Sequence, residues 1–230
     1  MSINYSPATV TNGLVLCLDA GNTKSYPGSG TAWTDLSGNG NTGTLTNGPT
    51  YSSANGGSIV FDGADDYVGV GNITAVDGIS QLTISGWVKR NSGFGALFFK
   101  NAGSSSNWIE VAWHNSIGLL FVPATISAYA QMAIPSGTDW KFITCVFDGT
   151  QSDNTNRAKI YINVVLQSVT HTGTYGTVTG NPNASIIIGR DGWNAATLNA
   201  SINDVRVYNR ALSAAEVRQN FNALRGRYGV

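Results

Sequence analysis

Charged residues are scarce in this chain. They make up 11% of its 230 residues, against about a quarter in a typical soluble domain. Lys and Arg together number 13, and so do Asp and Glu, so the formal net charge is zero. Proteins that bind nucleic acid through its phosphates carry an excess of basic residues on one face. The charge balance therefore argues against nucleic acid as a partner.

One group of basic residues lies near the C-terminus, close to Asp204 and Glu216. Its members are Arg206, Arg210, Arg218, Arg225 and Arg227. We expect these side chains to form the solvated face of a helix. Docking to an acidic partner surface is the alternative.

Cysteine and long apolar runs are scarce as well. Cys17 and Cys145 lie inside apolar, β-patterned segments, where we expect two buried thiols rather than a disulfide. No apolar run approaches the length of a membrane-spanning helix. The segment Met1–Val10 lacks the basic start and the apolar stretch of a Sec signal peptide. We therefore expect neither membrane insertion nor export by the Sec route.

What the chain has is a long series of short apolar runs. Apolar residues are 42% of the total, and they alternate with polar ones in about thirteen segments separated by Gly, Asn, Asp and Ser turns. No segment has the pattern of a crossover helix, so parallel α/β architecture is excluded. The pattern predicts one all-β domain over residues 14–212, two packed antiparallel sheets, preceded by an N-terminal arm over residues 1–13.

A single helix is predicted in the C-terminal segment, residues 213–230. Ser213 and Glu216 have the spacing of a capping box, and Gly226 is a suitable stop. An apolar stripe follows at i, i+4 and i+7, formed by Val217, Phe221 and Leu224. We expect this stripe to pack on the domain's own sheet; association with a neighbouring copy is the alternative.

Five short signatures join a strand to a Gly, Asp or Asn turn. They are Asp35–Gly43 (DLSGNGNTG), Phe61–Val68 (FDGADDYV), Thr83–Val88 (TISGWV), Trp140–Gly149 (WKFITCVFDG) and Ile202–Leu212 (INDVRVYNRAL). In this order the signatures resemble those of the laminin G-like, concanavalin A-like jelly-roll family. The resemblance implies a two-sheet antiparallel jelly-roll sandwich, here with one short C-terminal helix. Function has to be argued from particular sites, because this fold class hosts many activities.

The acidic residues argue against catalysis. Sugar hydrolysis usually needs two carboxyl groups that flank the scissile bond. Glu216 belongs to the capping box, and Glu110 has no acidic residue two or four positions away. The family's glucanases carry closely spaced acidic residues along one strand, a pattern that is absent here. His114 and His171 do not have the spacing of metal ligands. We expect no catalytic residues, although a second acid folded close to Glu110 would reopen the question.

A calcium loop is one interpretation of the first signature. Oxygen-bearing side chains stand at its positions 1, 3 and 5, Gly40 stands at position 6, and a backbone carbonyl is available at position 7. The corresponding candidate ligands are Asp35, Ser37, Asn39 and Asn41. The resemblance implies that further carboxylates would come from distant segments, with Asp19, Asp62 and Asp204 as candidates. The alternative is an ordinary turn in which Asp35 accepts backbone hydrogen bonds.

Tryptophan marks the candidate ligand site. Trp193 lies in a turn between Asp191 and Asn194, and such a ring can stack on the C–H face of a sugar while the polar neighbours bind its hydroxyl groups. Trp108 and Trp113 are further candidates. For each ring, burial against a sheet is the alternative.

Two segments, Leu14–Asn22 and Asn220–Gly229, resemble jelly-roll modules of phage virion proteins. We therefore predict a non-catalytic structural protein of a virion surface, of the decoration or fibre type. The expected partners are further copies of the chain, other virion proteins and host cell-surface glycans, and the expected location is the virion or the extracellular space. A free-standing lectin-like module is the alternative, and a glycoside hydrolase is the third hypothesis.

Overall fold

The computed structural model describes residues 8–103, 105–114, 117–191 and 196–230. Seventeen strands lie within those residues. They are β1 (Leu14–Asp19), β2 (Ala32–Trp33), β3 (Gly43–Thr46), β4 (Thr50–Ser52), β5 (Ser58–Asp62), β6 (Tyr67–Val70), β7 (Gln81–Gly93), β8 (Gly95–Asn101), β9 (Trp108–His114), β10 (Gly118–Thr125), β11 (Ala128–Met132), β12 (Lys141–Asp148), β13 (Ala158–Ile162), β14 (Val165–Leu166), β15 (Thr170–Thr172), β16 (Ile186–Ile188) and β17 (Leu198–Tyr208). The helices are α1 (Asn154–Arg157), α2 (Ala214–Leu224) and the 3₁₀ turns Ala54–Gly56, Thr74–Val76 and Arg225–Arg227.

The strands form two antiparallel sheets, as predicted. One has eight strands, in the order β14-β13-β12-β7-β17-β5-β4, with β1 pairing to β17 beside this path. The other has nine strands, in the order β15-β11-β10-β9-β8-β16-β6-β3-β2. The predicted apolar runs appear as strands. Sequence analysis missed three short strands: β2 has only two residues, and the Thr, Gly and Ser residues of β3 and β4 give little apolar alternation.

Strand β17 organises the eight-stranded sheet. One of its edges pairs with β7 along most of its length. Its other edge is shared between two strands, because residues 199–202 pair with β5 and residues 204–208 pair mainly with β1. Gly86 on β7 allows the close approach of β17, since a Cβ atom there would lie 2.7 Å from the carbonyl oxygen of Asp204. The last strand of the chain therefore joins the first strand to the middle of the fold.

The main core fills the space between the two sheets. Alternate residues of the central strands point into it, as period-2 alternation requires. Examples from four strands are Leu16, Ile84, Val205 and Phe98. Cys145 also lies in this core, and both cysteines are free and buried, which confirms the prediction of two buried thiols.

Helix α2 packs on the outer face of the eight-stranded sheet, which confirms the self-packing prediction. Trp87 stacks on Phe221, with ring centroids 5.3 Å apart, and on Tyr228, with centroids 4.0 Å apart. Val217 and Leu224 lie in the same apolar cluster. The capping box of the helix is also confirmed. The helix ends at Leu224, before the predicted stop at Gly226, and the chain continues into the 3₁₀ turn Arg225–Arg227.

The basic group near the C-terminus proves to be only partly solvated. Arg206 pairs with Asp204 across 2.9 Å, and both side chains are buried. Arg227 pairs with Asp19 across 2.6 Å. These two arginines therefore neutralise buried carboxylates beneath the C-terminal segment, which corrects the expectation that the whole group forms a solvated face.

None of the helices in the described part of the chain has the length and hydropathy of a membrane-spanning segment.

The Arg210–Glu216 pair at the start of α2 gives a prediction for acid stability. Arg210 donates to both Glu216 carboxylate oxygens, at 3.0 and 2.6 Å. Arg210 and the bonds from Ser213 lower the pKa of Glu216 from 4.5 to about 2. A carboxyl group whose pKa is lower in the folded state stabilises the fold above its unfolded pKa, and that contribution is lost as the pH falls through the folded value.

We therefore expect Glu216→Gln to lower the free energy of unfolding by about 1 kcal/mol at pH 7, since the pair is partly exposed. The difference from wild type should vanish between pH 4.5 and 2. Urea unfolding across this range measures it. Asp65→Asn, which removes an exposed carboxylate, is the control. A difference for Glu216→Gln that stays constant down to pH 2 would contradict the prediction.

Candidate functional site

The candidate site lies on the outer face of the nine-stranded sheet, on the opposite side of the sandwich from α2. On β9, the side chains of Ile109, Val111 and Trp113 point into the core between the sheets. Strict alternation along the strand therefore turns Glu110 and His114 to the outer face. Asp191 follows β16 by three residues, and it completes a cluster of three possible metal-ligating side chains.

Glu110 is the centre of this cluster. Its side chain is 0% exposed. Oε2 accepts a hydrogen bond from Trp108 Nε1 at 3.0 Å, while Oε1 lies 3.6 Å from His114 Nε2. The cluster offers three possible ligand atoms within 4.8 Å of one another, one each from Glu110, His114 and Asp191. The cluster thus gathers two carboxylates and one imidazole at a single point of the sheet.

Burial and charge shape the titration of these groups. Burial raises the pKa of Glu110, and the nearby Asp191 acts in the same direction while His114 opposes it. The facing Glu110 carboxylate raises the pKa of His114, against the effect of burial. Among the described residues, neither Glu110 Oε1 nor His114 Nε2 has a hydrogen-bond partner. A buried polar atom without a partner costs about 1–3 kcal/mol, so a ligand that satisfied both atoms would be stabilised here.

Tyr67 and Arg190 extend the site along the same face. The Arg190 guanidinium lies over the Tyr67 ring, with its carbon 4.9 Å from the ring centroid. Arg190 Nε is buried and has no hydrogen-bond partner in the described part of the chain. Both side chains are partly exposed. An accessible aromatic ring therefore stands beside an unused hydrogen-bond donor.

An apolar cluster surrounds the polar one on this face. Its buried members are Ala96, Phe99, Trp108, Ala112, Leu120 and Val122. Water is a poor competitor for polar contacts among such residues, so hydrogen bonds or ligation at Glu110 are strengthened.

The predicted ligand residues have different outcomes. Trp193 and Asn194 lie outside the described residues. Asp191 belongs to the cluster with Glu110 and His114. Trp108 and Trp113, the further ligand candidates, are each 3% exposed, which matches the alternative of burial against a sheet. Trp113 contributes to the core between the sheets, whereas Trp108 orients Glu110 through its ring N–H.

In the predicted calcium loop, protein donors surround the Asp35 carboxylate. Its Oδ1 accepts from the backbone N–H groups of Cys17 and Ser37, both at 2.9 Å. Its Oδ2 accepts from Ser37 Oγ at 2.7 Å and from Asn41 N at 3.0 Å. Asn39 and Asn41 donate from their side-chain amides to the β1 carbonyls of Leu14 and Val15. The geometry is that of the turn alternative.

The distant aspartates do not gather around this loop. Asp19 and Asp204 face each other across β1 and β17, where Arg227 and Arg206 pair with them. Asp62 accepts a hydrogen bond from Ala64 N in a separate acidic turn. Calcium binding stays a prediction, which a thermal melt in calcium and in EDTA would test.

Comparison with known families places the fold. Residues 62–218 match the model of the concanavalin A-like lectin/glucanases superfamily. The chain belongs to this superfamily. The match confirms the family predicted from the five signatures, and its lectin-like jelly roll agrees with the two antiparallel sheets.

Solved structures with the fold of this superfamily extend the comparison. Domain 4 of AbnA, a GH43 extracellular arabinanase from Geobacillus stearothermophilus, in complex with arabinotriose, is 21% identical with a TM-score of 0.64, and the alignment covers 90% of this chain and 97% of that one. Trypanosoma rangeli sialidase in complex with sialic acid is 15% identical with a TM-score of 0.63, over 94% of this chain and 33% of that one. The binding domain of botulinum neurotoxin DC in complex with rat synaptotagmin II is 15% identical with a TM-score of 0.67, over 94% and 52%. At these identities the likeness establishes the fold alone. No curated protein gives a significant sequence match.

Sequence analysis missed the pairing of Glu110 with His114. The superfamily's glucanases pair a carboxylate with a second acid on the same strand, whereas Glu110 faces the imidazole of His114, four residues away on β9. Two residues four apart on a strand share a face, so this signal was present in the sequence. The contact with Asp191 had no local signal, because Asp191 follows a strand that is distant from β9 in the chain.

Proposed function

We propose that this chain is a non-catalytic glycan-binding module, and that its site is the outer face of the nine-stranded sheet. The observation that carries the proposal is the Tyr67 ring, which is partly exposed on this face and has the Arg190 guanidinium carbon 4.9 Å from its centroid. Arg190 Nε has no hydrogen-bond partner among the described residues, so it supplies a donor beside the ring. Sugar hydroxyl groups accept hydrogen bonds, so a glycan can satisfy this donor.

A glycan also needs an apolar contact, and Tyr67 supplies it. The ring is partly exposed, and it is held in place by the Arg190 guanidinium above it. Gly69, on the same face of β6, leaves room beside the ring, since its added Cβ would meet only Tyr67 at 3.8 Å. Aromatic rings of this kind combine large contact area with little loss of conformational entropy on binding.

The comparison with domain 4 of AbnA supports the proposal and selects the first probe. That domain corresponds to this chain over 97% of its length and was solved with arabinotriose. The sialidase and the toxin binding domain correspond to this chain over 33% and 52% of their lengths, so they inform the fold only. Arabinotriose is therefore the first ligand to test, followed by a glycan array.

We expect Tyr67→Ala to weaken glycan binding about tenfold, as truncation of a central aromatic contact commonly does. Isothermal titration with arabinotriose, or with the best array ligand, measures the affinity. Arg190→Lys should weaken binding as well, because Lys cannot lie flat over the ring as a guanidinium does. Arg225→Lys, on the exposed 3₁₀ turn behind the other sheet, is the matched control. Wild-type protein that binds no glycan on the array would contradict the proposal.

A glycoside hydrolase is the second candidate, and one observation favours it. Asp191 is the second acid near Glu110 that sequence analysis lacked, with carboxylate oxygens of the two within 4.8 Å. Retaining hydrolases hold their two carboxyl groups about 5–5.5 Å apart. Against this candidate, Glu110 is fully buried and Asp191 is 2% exposed, which hinders the approach of a glycosidic oxygen. The test is the release of new reducing ends from arabinan. If the wild-type protein releases them and the Glu110→Gln variant does not, the site hydrolyses glycans and the non-catalytic proposal is wrong.

Display on a virion surface is the remaining part of the proposal. It rests on the resemblance of Leu14–Asn22 and Asn220–Gly229 to phage jelly-roll modules. In this setting the module would form a homo-oligomer with further virion proteins around it and would present the glycan site to the host. Because α2 covers its own sheet, copies would associate through other surfaces. Size-exclusion light scattering that gives a monomer would favour the free-standing lectin-like module instead.

A further inference from the structure

We infer that Glu110, His114 and Asp191 form a binding site for one first-row transition-metal dication, and that zinc is the ion the site fits best. The site shares a face with the proposed glycan contacts, but the inference does not depend on glycan binding. It rests on the position of two buried atoms that have no hydrogen-bond partner among the described residues, on the group that orients one of them and on the chemistry of the three donors.

The distance between the two central donors fits a metal better than a hydrogen bond. Glu110 Oε1 and His114 Nε2 are 3.6 Å apart, which is too long for a hydrogen bond. Two donors on a tetrahedral zinc, each about 2.0–2.2 Å from it, lie about 3.3–3.6 Å from each other. Both atoms are buried and neither has a hydrogen-bond partner among the described residues. The pair is therefore spaced as two ligands of one ion would be.

Trp108 and the backbone of Asp191 hold the ligands in this arrangement. Trp108 Nε1 donates to Glu110 Oε2 at 3.0 Å, which turns the other carboxylate oxygen towards His114. Such a hydrogen bond to a ligating carboxylate is common around protein metal sites. Asp191 N donates to Ala196 O at 2.8 Å, which fixes the chain where the third carboxylate begins. Asp191 lies within 4.8 Å of the other two donors, which makes it the third ligand of the inferred site.

The donor set selects the ion. One imidazole and two carboxylates suit zinc and its first-row neighbours, whereas calcium and magnesium prefer oxygen donors alone. Three protein ligands leave the fourth position of a tetrahedral zinc to water or to another oxygen ligand. A sugar hydroxyl group is one such ligand, so an occupied site would contribute directly to the proposed glycan contacts.

A second acidic group in the chain provides an internal control. Asp62, Asp65 and Asp66 also lie within 4.8 Å of one another, but Asp62 and Asp65 are exposed. The Asp62 and Asp66 carboxylates each accept a backbone hydrogen bond within this turn, from Ala64 N and from Asp62 N. This turn has no imidazole, so a variant within it shows whether carboxylates alone bind cations weakly and without selectivity.

The experiment uses the full chain without a histidine tag, stripped with EDTA and desalted. The chain has two histidines, so ¹⁵N NMR of the imidazole nitrogens resolves both. We expect one equivalent of zinc to shift the His114 nitrogen signals and to leave those of His171 unchanged. His171 Nδ1 lies 2.9 Å from the Tyr175 hydroxyl, away from the cluster on β9. Calorimetric titration on the same sample gives the stoichiometry and the affinity.

Variants assign the ligands. Glu110→Gln and His114→Gln should each weaken zinc binding by more than about tenfold, the least effect that loss of a supporting group near a metal usually has. Asp65→Asn and His171→Gln should bind as wild type does. If Glu110→Gln does not fold, His114→Gln decides, because that side chain is 22% exposed and tolerates replacement more readily. Wild type that binds no zinc, or zinc binding that survives both substitutions, would overturn the inference.

A final arm separates this inference from the proposed function. Glycan binding is measured before and after EDTA. Zinc binding without any glycan binding supports the metal site and contradicts the proposed function. Glycan binding with no zinc bound supports the proposed function and overturns the metal site.

Discussion

Arg206→Leu should lower the free energy of unfolding by about 3–5 kcal/mol, because it leaves a buried carboxylate without its counter-ion. Asp204 is fully buried, and Arg206 Nη1 lies 2.9 Å from its Oδ2. Burial raises the pKa of Asp204, while the charge of Arg206 opposes that shift. Removal of the guanidinium would leave Asp204 either charged in an apolar setting or protonated.

The comparison with two further variants isolates the ion pair. The double variant Asp204→Asn with Arg206→Leu should recover most of the loss, since both buried charges disappear together. Asn at position 204 can still accept the hydrogen bond from Trp87 N, which the native Oδ1 accepts at 3.0 Å. Arg210→Leu, which breaks a partly exposed pair, should cost about 1 kcal/mol. Equilibrium unfolding in urea measures all three, and a cost for Arg206→Leu no larger than that for Arg210→Leu would refute the argument.

Trp87→Ala should destabilise the protein by about 3–5 kcal/mol, the usual cost of deleting a large buried ring. Its ring lies at the centre of the aromatic cluster under α2. It contacts Phe142 at 5.4 Å between centroids, in addition to Phe221 and Tyr228. The cavity would open between the helix and the sheet rather than between the two sheets. The helix should therefore detach more readily than the rest of the fold.

Limited proteolysis distinguishes this local effect from general destabilisation. Trypsin should cleave the variant after Arg218 and Arg225, on α2 and the following turn, well before it cleaves within the sheets. Phe94→Ala is the control, because Phe94 is partly exposed and should cost less than about 1 kcal/mol. If the two variants have the same free energy of unfolding and the same rate of cleavage, the aromatic cluster does not hold α2 on the sheet.

The parts of the fold that sequence analysis predicted are those with local signals. The capping box of Ser213 and Glu216 satisfies backbone groups within one turn, so four residues define it. The apolar runs of Sequence analysis include β17, where Val205 and Val207 lie in the core between the sheets and Tyr208 lies in the cluster under α2. Such features depend on neighbours along the chain, which one sequence displays in full.

The parts of the structure that sequence analysis missed depend on contacts between distant segments. The hydrogen bond from Cys17 N to the Asp35 carboxylate joins β1 to the Asp35–Asn41 loop, and nothing in the spacing of Asp35–Asn41 indicates that contact. Glu110 looked isolated because Asp191 is far away in sequence, and only the sheet order brings β9 and the end of β16 to the same region of one face. Pairing of this kind is a property of topology, which spacing along the chain does not encode.

The position of β17 has a consequence for how the chain folds. Its residues 204–208 pair with β1 near the other end of the sequence, while its opposite edge supports β7. During synthesis, β1 must therefore wait until residues 204–208 exist before it can pair with them. Pairings between such distant segments form slowly, and meanwhile the edges of β1, β5 and β7 remain open to incorrect partners. Assembly of the eight-stranded sheet is thus a late step in the folding of this domain, and a polypeptide halted before residue 198 lacks the strand that joins β1 to β7.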